Sequence, residues 1–353
     1  MDRHCRSRPR EHDSSSRARH PRSAPSRLMA VAASRTPRIL VVRRDNIGDL
    51  VCTTPLFDGL RRAQPNAFIA ALVNTYNAEV LARNPVLDAV HVYEKLKHRK
   101  GGIFFNLLAR AKLSSELRRL KFDYVLVPAP TPRTLRLAAS LSPREIITPQ
   151  PIENDTRHEV ERTYALGEAL GVSGTPGPMR VFPDPTRQEE ISRRVGPGPF
   201  VAVHISARRP AQRWPAERYA ELIDALKKRE KVLLLWAPGA KDDPRHPGDD
   251  EMAHALSSEG AVTLPTPDLA TLIATLSLAG SVICPDGGAM HIAAALGKPV
   301  LALFGDSPVE RWRPWKTSCW LVHPSLRNIK EASVAEILDA WRQLKETPAD
   351  AMR

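Results

Sequence analysis

The sequence predicts an α/β protein made of two doubly wound, Rossmann-like parallel-sheet domains facing each other across a cleft. Three observations lead there. Short runs rich in Val, Ile and Leu alternate with stretches whose apolar residues recur at helical spacing, the pattern of strands covered on both faces by helices. The alternation breaks between about 171 and 199, where "GVSGTPGPMRVFPDP" and "VGPGPF" concentrate Gly and Pro as a linker does, and then restarts. A chain of 353 residues with 42% hydrophobic content has enough material for two cores.

Each element follows from its residues. "RILVVRR" (38–44) is apolar and β-branched, a buried strand; "DNIGD" turns, and "LVCTTPLFDGLRRAQ" (50–64) carries Leu50, Leu56 and Leu60 at helical spacing. "AFIAALVN" (67–74) is a strand, "YNAEVLARN" a helix and "LDAVHVY" (87–93) a strand. "IFFNLLARAKLSSELRRLK" (103–121) is a long amphipathic helix, and "FDYVLVP" (122–128) the strand after it. Past the linker the strands are "FVAVHIS" (200–206), "KVLLLWAP", "AVTLPT", "SVICPD" and "PVLALFG". Between them lie the helices "PAERYAELIDALKKRE" (215–230), "DDEMAHALSSEG", "DLATLIATLSLAG" and "AMHIAAALG". "SVAEILDAWRQLKE" (333–346) is a last amphipathic helix, with Ser333 and Glu336 at capping-box spacing. The domains are therefore drawn at 37–185 and 186–325, with a C-terminal helix and tail at 326–353.

Net charge is +13, and residues 1–36 hold nine arginines against three acids, so nearly half of the excess sits in one tail. That tail has almost nothing to bury and is expected to be disordered. It reads as leader sequence ahead of a start at Met29, in preference to an anion-binding arm or a transit peptide. The remaining basic bias is too mild to argue for nucleic acid, and the aromatic share of 5% shows no interleaving with arginine of the kind that stacks bases. No apolar run is long enough to span a bilayer and no secretory h-region is visible. Cys5, Cys52, Cys284 and Cys319 form no CxxC pair, so neither a zinc site nor a disulfide framework is indicated, and no metal or cofactor is expected.

In doubly wound sheets ligands bind beyond the carboxyl ends of the strands, so the loops after strands carry the chemistry. After the first strand comes "RRDNIGDL", with one glycine, Gly48, where a dinucleotide fingerprint needs three. Asp49 opens a helix there. It can be a plain first-turn acid that favours the helix dipole, or a general base facing the other domain. After "FVAVHIS" comes "ARRPAQRWP", with Arg208, Arg209 and Arg213 close together; this is a solvated basic loop or a pocket for phosphate oxygens. His204 at the strand end reads as packed. In "CPDGGAMHIAAALG" Gly287 and Gly288 leave backbone N–H groups unshielded at a helix start, a place that attracts a diphosphate. Asp286 can accept from those N–H groups or from sugar hydroxyls, and His291 can face either cleft or core. "EKLKHRKGG" (94–102) is a basic cluster before an apolar run, read as a solvated loop or as contact with a phosphorylated glycolipid or anionic membrane.

With these loops together the chain resembles glycosyltransferase family 9, the bacterial lipopolysaccharide heptosyltransferases and relatives. The matching segments are "RILVVRRDNIGDLVCTTPLFDGLR", "HISARRPAQRWPAERYAELI" and "PDGGAMHIAAALGKPVLALFGDSPVERWRPW", and the likeness covers roughly 37–345. The resemblance implies a GT-B fold with the acceptor domain first and the nucleotide-sugar donor domain second. It implies inverting, metal-independent transfer, typically from ADP-heptose to the inner core of lipopolysaccharide. Asp49 matches the family's catalytic base. Ser206, Arg208, Arg209, Gln212, Arg213 and the turn Asp286, Gly287, Gly288, Ala289, Met290 and His291 are assigned to the donor; Arg43, Asn46, Gly48, Lys97 and Arg99 to the acceptor. The chain departs from the pattern at Gln212, where the family usually has a phosphate-contacting Lys, which puts the donor in question. The acid that commonly holds the ribose is left open among Asp242, Asp243, Asp249 and Asp250. The expected partners are a nucleotide-sugar donor and a glycolipid or oligosaccharide acceptor, for a cytoplasmic monomer touching the inner membrane peripherally and binding no nucleic acid. The rival readings are a nucleotide-sugar epimerase or hydrolase of similar build and a non-catalytic basic binding protein.

Overall fold

The computed structural model describes residues 36–93, 103–240, 248–257 and 262–346, with backbone alone over 103–110. The basic tail, Met29, Lys97, Arg99, Asp242 and Asp243 lie outside the described residues.

The first half forms one five-stranded, all-parallel sheet in the order β3-β2-β1-β4-β5. Its elements are β1 (Arg38–Val42), α1 (Ile47–Ala63), β2 (Phe68–Asn74), β3 (Ala89–Tyr93), α2 (Ile103–Arg119), β4 (Tyr124–Leu126), α3 (Pro132–Ser140), β5 (Glu145–Ile147) and α4 (Glu159–Tyr164). β1 lies between β2 and β4, with Ile39 opposite Ile69 on one side and Tyr124 on the other. It is buried from Ile39 to Val42, as a central parallel strand covered on both faces must be. α1 buries Leu50, Val51, Leu56, Phe57 and Leu60, each side chain contributing roughly 1.5–3 kcal/mol. Pro55 inside this helix cannot donate to the Val51 carbonyl. The Thr54 hydroxyl donates to that carbonyl instead, at 2.8 Å.

The second half forms a six-stranded parallel sheet in the order β11-β10-β9-β6-β7-β8. Its elements are α5 (Pro185–Val195), β6 (Val201–His204), α6 (Ala216–Lys227), β7 (Val232–Trp236), α7 (Asp250–Ser257), β8 (Val262–Pro265), α8 (Leu269–Leu278), β9 (Ser281–Pro285), α9 (Gly288–Ala295), β10 (Val300–Leu303), α10 (Val309–Trp312), β11 (Cys319–Val322) and α11 (Val334–Glu346). α11 buries Ile337, Trp341 and Leu344 in the same core as Trp214 and Tyr219 of this half. Its start is the capping box read from the sequence: the Glu336 N–H donates to Ser333 Oγ at 3.2 Å and the Ser333 N–H to Glu336 Oε2 at 2.7 Å.

Two expectations need correction. The Gly/Pro stretch is not loop throughout: α5 forms inside it because the Asp184 side chain caps the Thr186 and Arg187 N–H groups ahead of a proline at the first helical position. α5 then packs on α8, where the Gln188 amide donates to Ser277 Oγ at 2.7 Å. "YNAEVLARN" is helical only over Ala78–Leu81, as a short 3₁₀ helix and not an α-helix. The stretch after 128, which shows no clear periodicity, contains α3, β5 and α4.

Strand order fixes where a ligand site belongs. In the second sheet β6 lies beside β9, and the chain leaves them in opposite directions, through β7 to β8 and through β10 to β11. The first sheet reverses in the same way between β1 and β4. The loops at these switch points are 43–46 after β1, 205–213 after β6 and 286–287 after β9, where a doubly wound sheet opens a crevice.

Candidate functional site

These three loops meet. A cleft of about 790 Å³ is lined by Asn46, Gly48 and Asp49 from the first half and by Ser206, Arg208, Arg209, Gln212 and Asp286–Ala289 from the second, with His291, Ser307 and Trp312. The starts of α1 and α9 are pressed together behind it. A Cβ on Gly48 would lie 2.6 Å from Cδ2 of His291, and one on Gly288 would lie 3.1 Å from Cγ2 of Ile47. Glycine at both positions is what lets the two helix starts approach this closely.

Asp49 is the third residue of α1 and completes a capping box with Asn46. Its Oδ2 accepts from the Asn46 amide at 2.8 Å and from the Asn46 N–H at 3.2 Å; its Oδ1 accepts from Nη2 of Arg43 at 2.9 Å. A carboxylate offers about four acceptor positions, so one remains after these three bonds. The side chain is 14% exposed and lines the cleft. The structural and functional readings of Asp49 are thus compatible: the capping bonds hold the carboxylate while leaving an oxygen position open.

Across the cleft, α9 starts with no side-chain cap at Gly287. The first N–H satisfied within the helix is that of His291, which donates to the Gly287 carbonyl at 3.3 Å. The N–H groups of Gly288, Ala289 and Met290 have no intrahelical acceptor, and the helix dipole adds to their pull on an anion. Asp286 is buried at the same turn, its Oδ2 accepting from the Gln212 amide at 2.8 Å; the same amide nitrogen lies 3.0 Å from Ser307 Oγ. Burial pushes the Asp286 carboxyl above the usual range, with hydrogen bonds from Ser307 and Gln212 and the charge of Arg209 opposing it. Burial also holds the His291 imidazole down to about 4, assisted by His158 and opposed by Asp49. His291 is therefore a neutral ring at neutral pH, its Nδ1 3.6 Å from the Cys52 thiol and its plane at 73° to that of Trp312, with ring centroids 6.1 Å apart. The thiol is itself pushed up by burial, so the contact is not a thiolate–imidazolium pair.

Among the described lining residues the cations are Arg208 and Arg209, and the carboxylates are Asp49, Glu79, Asp268 and Asp286. Arg208 donates to Asn46 Oδ1 at 3.2 Å, bridging the two halves, and Arg209 lies 3.4 Å from Asp306. Other residues assigned from the sequence stand elsewhere. Arg213 turns away from the cleft onto Asp249, at 2.6 Å. Met290 is fully buried in the core. Arg43 is 1% exposed and bonded to Asp45, Asp49 and Glu159, and does not line the cleft. Of the ribose candidates, Asp249 is taken by Arg213, and Asp250 accepts from the Trp236 indole and the Gly239 N–H. Sequence reading missed Thr266, Asp268 and Ser307, which follow β8 and β10 and were findable by the same end-of-strand rule. It also missed Glu159 and Trp312, which carry no local signal.

Comparison with known proteins bears on the family and the fold. The family described as glycosyltransferase family 9 (heptosyltransferase) matches residues 146–341. Lipopolysaccharide heptosyltransferase 3 of Escherichia coli strain K12 is 26% identical over 294 residues, covering 76% of this chain and 82% of the relative. Among solved structures, a family 9 glycosyl transferase from Veillonella parvula superposes with a TM-score of 0.76 at 20% identity, over 87% of this chain and 97% of its own. An E. coli heptosyltransferase solved with ADP gives 0.71 at 18% identity, over 87% and 99%. These neighbours share the GT-B arrangement of two parallel-sheet lobes.

Proposed function

Because this chain belongs to glycosyltransferase family 9, we propose that it is an inverting transferase that moves heptose from ADP-heptose onto a lipopolysaccharide core or related glycan acceptor, without a metal. The observation that carries the reading is a carboxylate with an open acceptor position, Asp49, across one cleft from the uncapped start of α9. ADP as the donor nucleotide is supported by the ADP-bound neighbour, and the core acceptor by the heptosyltransferase relatives.

In this reading Asp49 takes the proton of the acceptor hydroxyl as general base. The hydroxyl oxygen forms a bond to the anomeric carbon from the face opposite the nucleotide. The bond from that carbon to the diphosphate oxygen breaks, and its electron pair leaves with ADP, so the configuration inverts. Negative charge grows on the departing diphosphate. Gly288 and Ala289 at the uncapped start of α9, with Arg208 and Arg209, line the same cleft and in this reading supply the electrostatic stabilisation of that charge. Gln212 supplies a neutral donor at the position of the family's lysine and holds Asp286, which presents an acceptor for sugar hydroxyls.

Asp49→Ala tests the assignment. Turnover of ADP-heptose should fall by on the order of 10²–10⁴, while the ADP-induced thermal shift stays. Retained turnover, or equal loss of turnover and ADP binding, refutes it. Preference in the same assay for a UDP- or GDP-linked sugar refutes the donor alone.

A further inference from the structure

Arg43 has one nitrogen with two duties. Nη2 donates to Asp49 Oδ1 at 2.9 Å and to Glu159 Oε1 at 2.8 Å, while Nε donates to Asp45 at 3.0 Å. Both hydrogens of Nη2 are therefore spent, one on the base and one on Glu159, and the direction of the first bond is set by the second. Glu159 sits at the start of α4 and is 3% exposed. Its other oxygen, Oε2, accepts from Nη2 and Nε of Arg311 at 2.8 and 3.1 Å, and Arg162 lies 3.6 Å away. Arg311 belongs to α10 of the second lobe, beside Trp312 of the cleft wall. The neighbouring His158 reaches the same lobe, its Nε2 2.8 Å from the Arg313 carbonyl.

We infer that Glu159 is a positioning residue for the base: it aims Arg43 at Asp49 and, through Arg311, ties that aim to the seating of the second lobe. This rests on Asp49 being the general base. A buried cation touching a base has two effects. It fixes the carboxylate, and it also makes the carboxylate a poorer proton acceptor. Glu159 lies against the same guanidinium, so Arg43 is held in place for Asp49 while its charge is shared with a second carboxylate. A pair that served stability alone would not need to share the nitrogen that holds Asp49, nor to reach an arginine from the other lobe. The charged groups facing the cluster are Arg43 and Asp45 after β1, Asp49 of α1, Arg162 of α4 and Arg311 of α10, with neutral His291 from α9 and Arg208 joined through Asn46.

The test is the pH profile of kcat/KM for ADP-heptose with a core acceptor in Glu159→Gln and Arg311→Gln, alongside Asp49→Ala. Glu159→Gln removes a negative charge, so the acid limb should move down by about one pH unit and the plateau fall by about tenfold. Arg311→Gln removes a positive charge from the same contact, so the limb should move up, by about half a unit because Arg311 is partly exposed. Arg311→Lys should return it. A role in stability alone lowers Tm but does not move the limb in opposite directions for the two variants. Limbs that stay fixed, or move the same way, overturn the positioning role while leaving Asp49 as base; turnover retained by Asp49→Ala overturns both. If Glu159→Gln does not fold, the Arg311 pair decides alone: a limb unmoved in Arg311→Gln overturns the inference.

Discussion

The contact between the two helix starts can be tested by adding one methyl group. In Gly48→Ala the new Cβ would sit 2.6 Å from Cδ2 and 3.3 Å from Nε2 of His291. Ordinary carbon contacts begin near 3.5 Å, so the overlap is about 0.9 Å. The ring has little room to yield: it is 2% exposed, its Nδ1 lies against Cys52 and Trp312 stands beside it. The strain must be taken up by sliding α1 away from α9. Overpacking of this kind costs about 1–3 kcal/mol, which for a body of this size lowers Tm by several degrees. Because Asp49 is the next residue, a shift approaching 1 Å should also reduce turnover by as much as about 10²-fold. The assay is a double-mutant cycle on Tm and denaturant midpoint with His291→Ala. Gly48→Ala should cost about 2 kcal/mol beside the histidine and close to nothing beside alanine. Equal costs in both backgrounds would show that the ring is not what the glycine accommodates.

Two further outcomes follow from the same wall of the cleft. Burial holds His291 at about 4 in the folded protein, below its unfolded value near 6.5. Between those values the unfolded chain binds more protons, so stability is lost as pH falls through the window from 6.5 to 4, by up to about 3 kcal/mol. His291→Asn should flatten the dependence of Tm on pH in that window, and an unchanged slope would refute the assignment. Gln212→Lys should bring a cation to the corner formed by Asp286 and Ser307 and tighten ADP by roughly three- to tenfold after the cost of burying the charge. Calorimetry with ADP and adenosine decides this: adenosine should be unaffected, and equal gains for both would remove the phosphate from that corner.

The legible parts of this fold are those that obey short-range rules. Strands such as β1 and β6, covered on both faces, show as unbroken apolar runs, and their order along the chain placed the loops after β1, β6 and β9 at one site. Asp49, Asp286 and Gly288 were found because strand-end loops in parallel sheets are few and carry unusual residues. What stayed hidden depends on distance along the chain or on short length. β5 has three residues and α4 has six, too few for periodicity to speak. Arg43 was assigned to the acceptor, and the sequence around it gives no sign that the side chain is buried. Its burial depends on Glu159, which lies 116 residues away. Glu159 and Arg311 are 152 residues apart and meet only when the lobes do. Gln212 was noticed as a departure from the family pattern, but its partners Asp286 and Ser307 come from loops after two other strands.

The charges of the cleft are distributed by how long each must hold. Under the proposed function the base is needed in one place through every cycle, and Asp49 is held by a buried guanidinium that also binds Asp45 and Glu159. Such a cluster is expensive to take apart, since exposing any member leaves the others unpaired in a medium of low polarity. Under the proposed function a diphosphate arrives with the donor and leaves with ADP. The groups proposed to meet it are the backbone N–H groups at the start of α9 and two arginines whose present partners, Asn46 Oδ1 at 3.2 Å and Asp306 at 3.4 Å, form long and exposed bonds. Such contacts cost little to exchange, so Arg208 and Arg209 can turn to phosphate and back without disturbing Arg43. A buried cation in place of Gln212 would hold ADP more firmly and slow its release. On that reading Gln212→Lys should lower kcat in steady-state turnover of ADP-heptose while calorimetry shows tighter ADP.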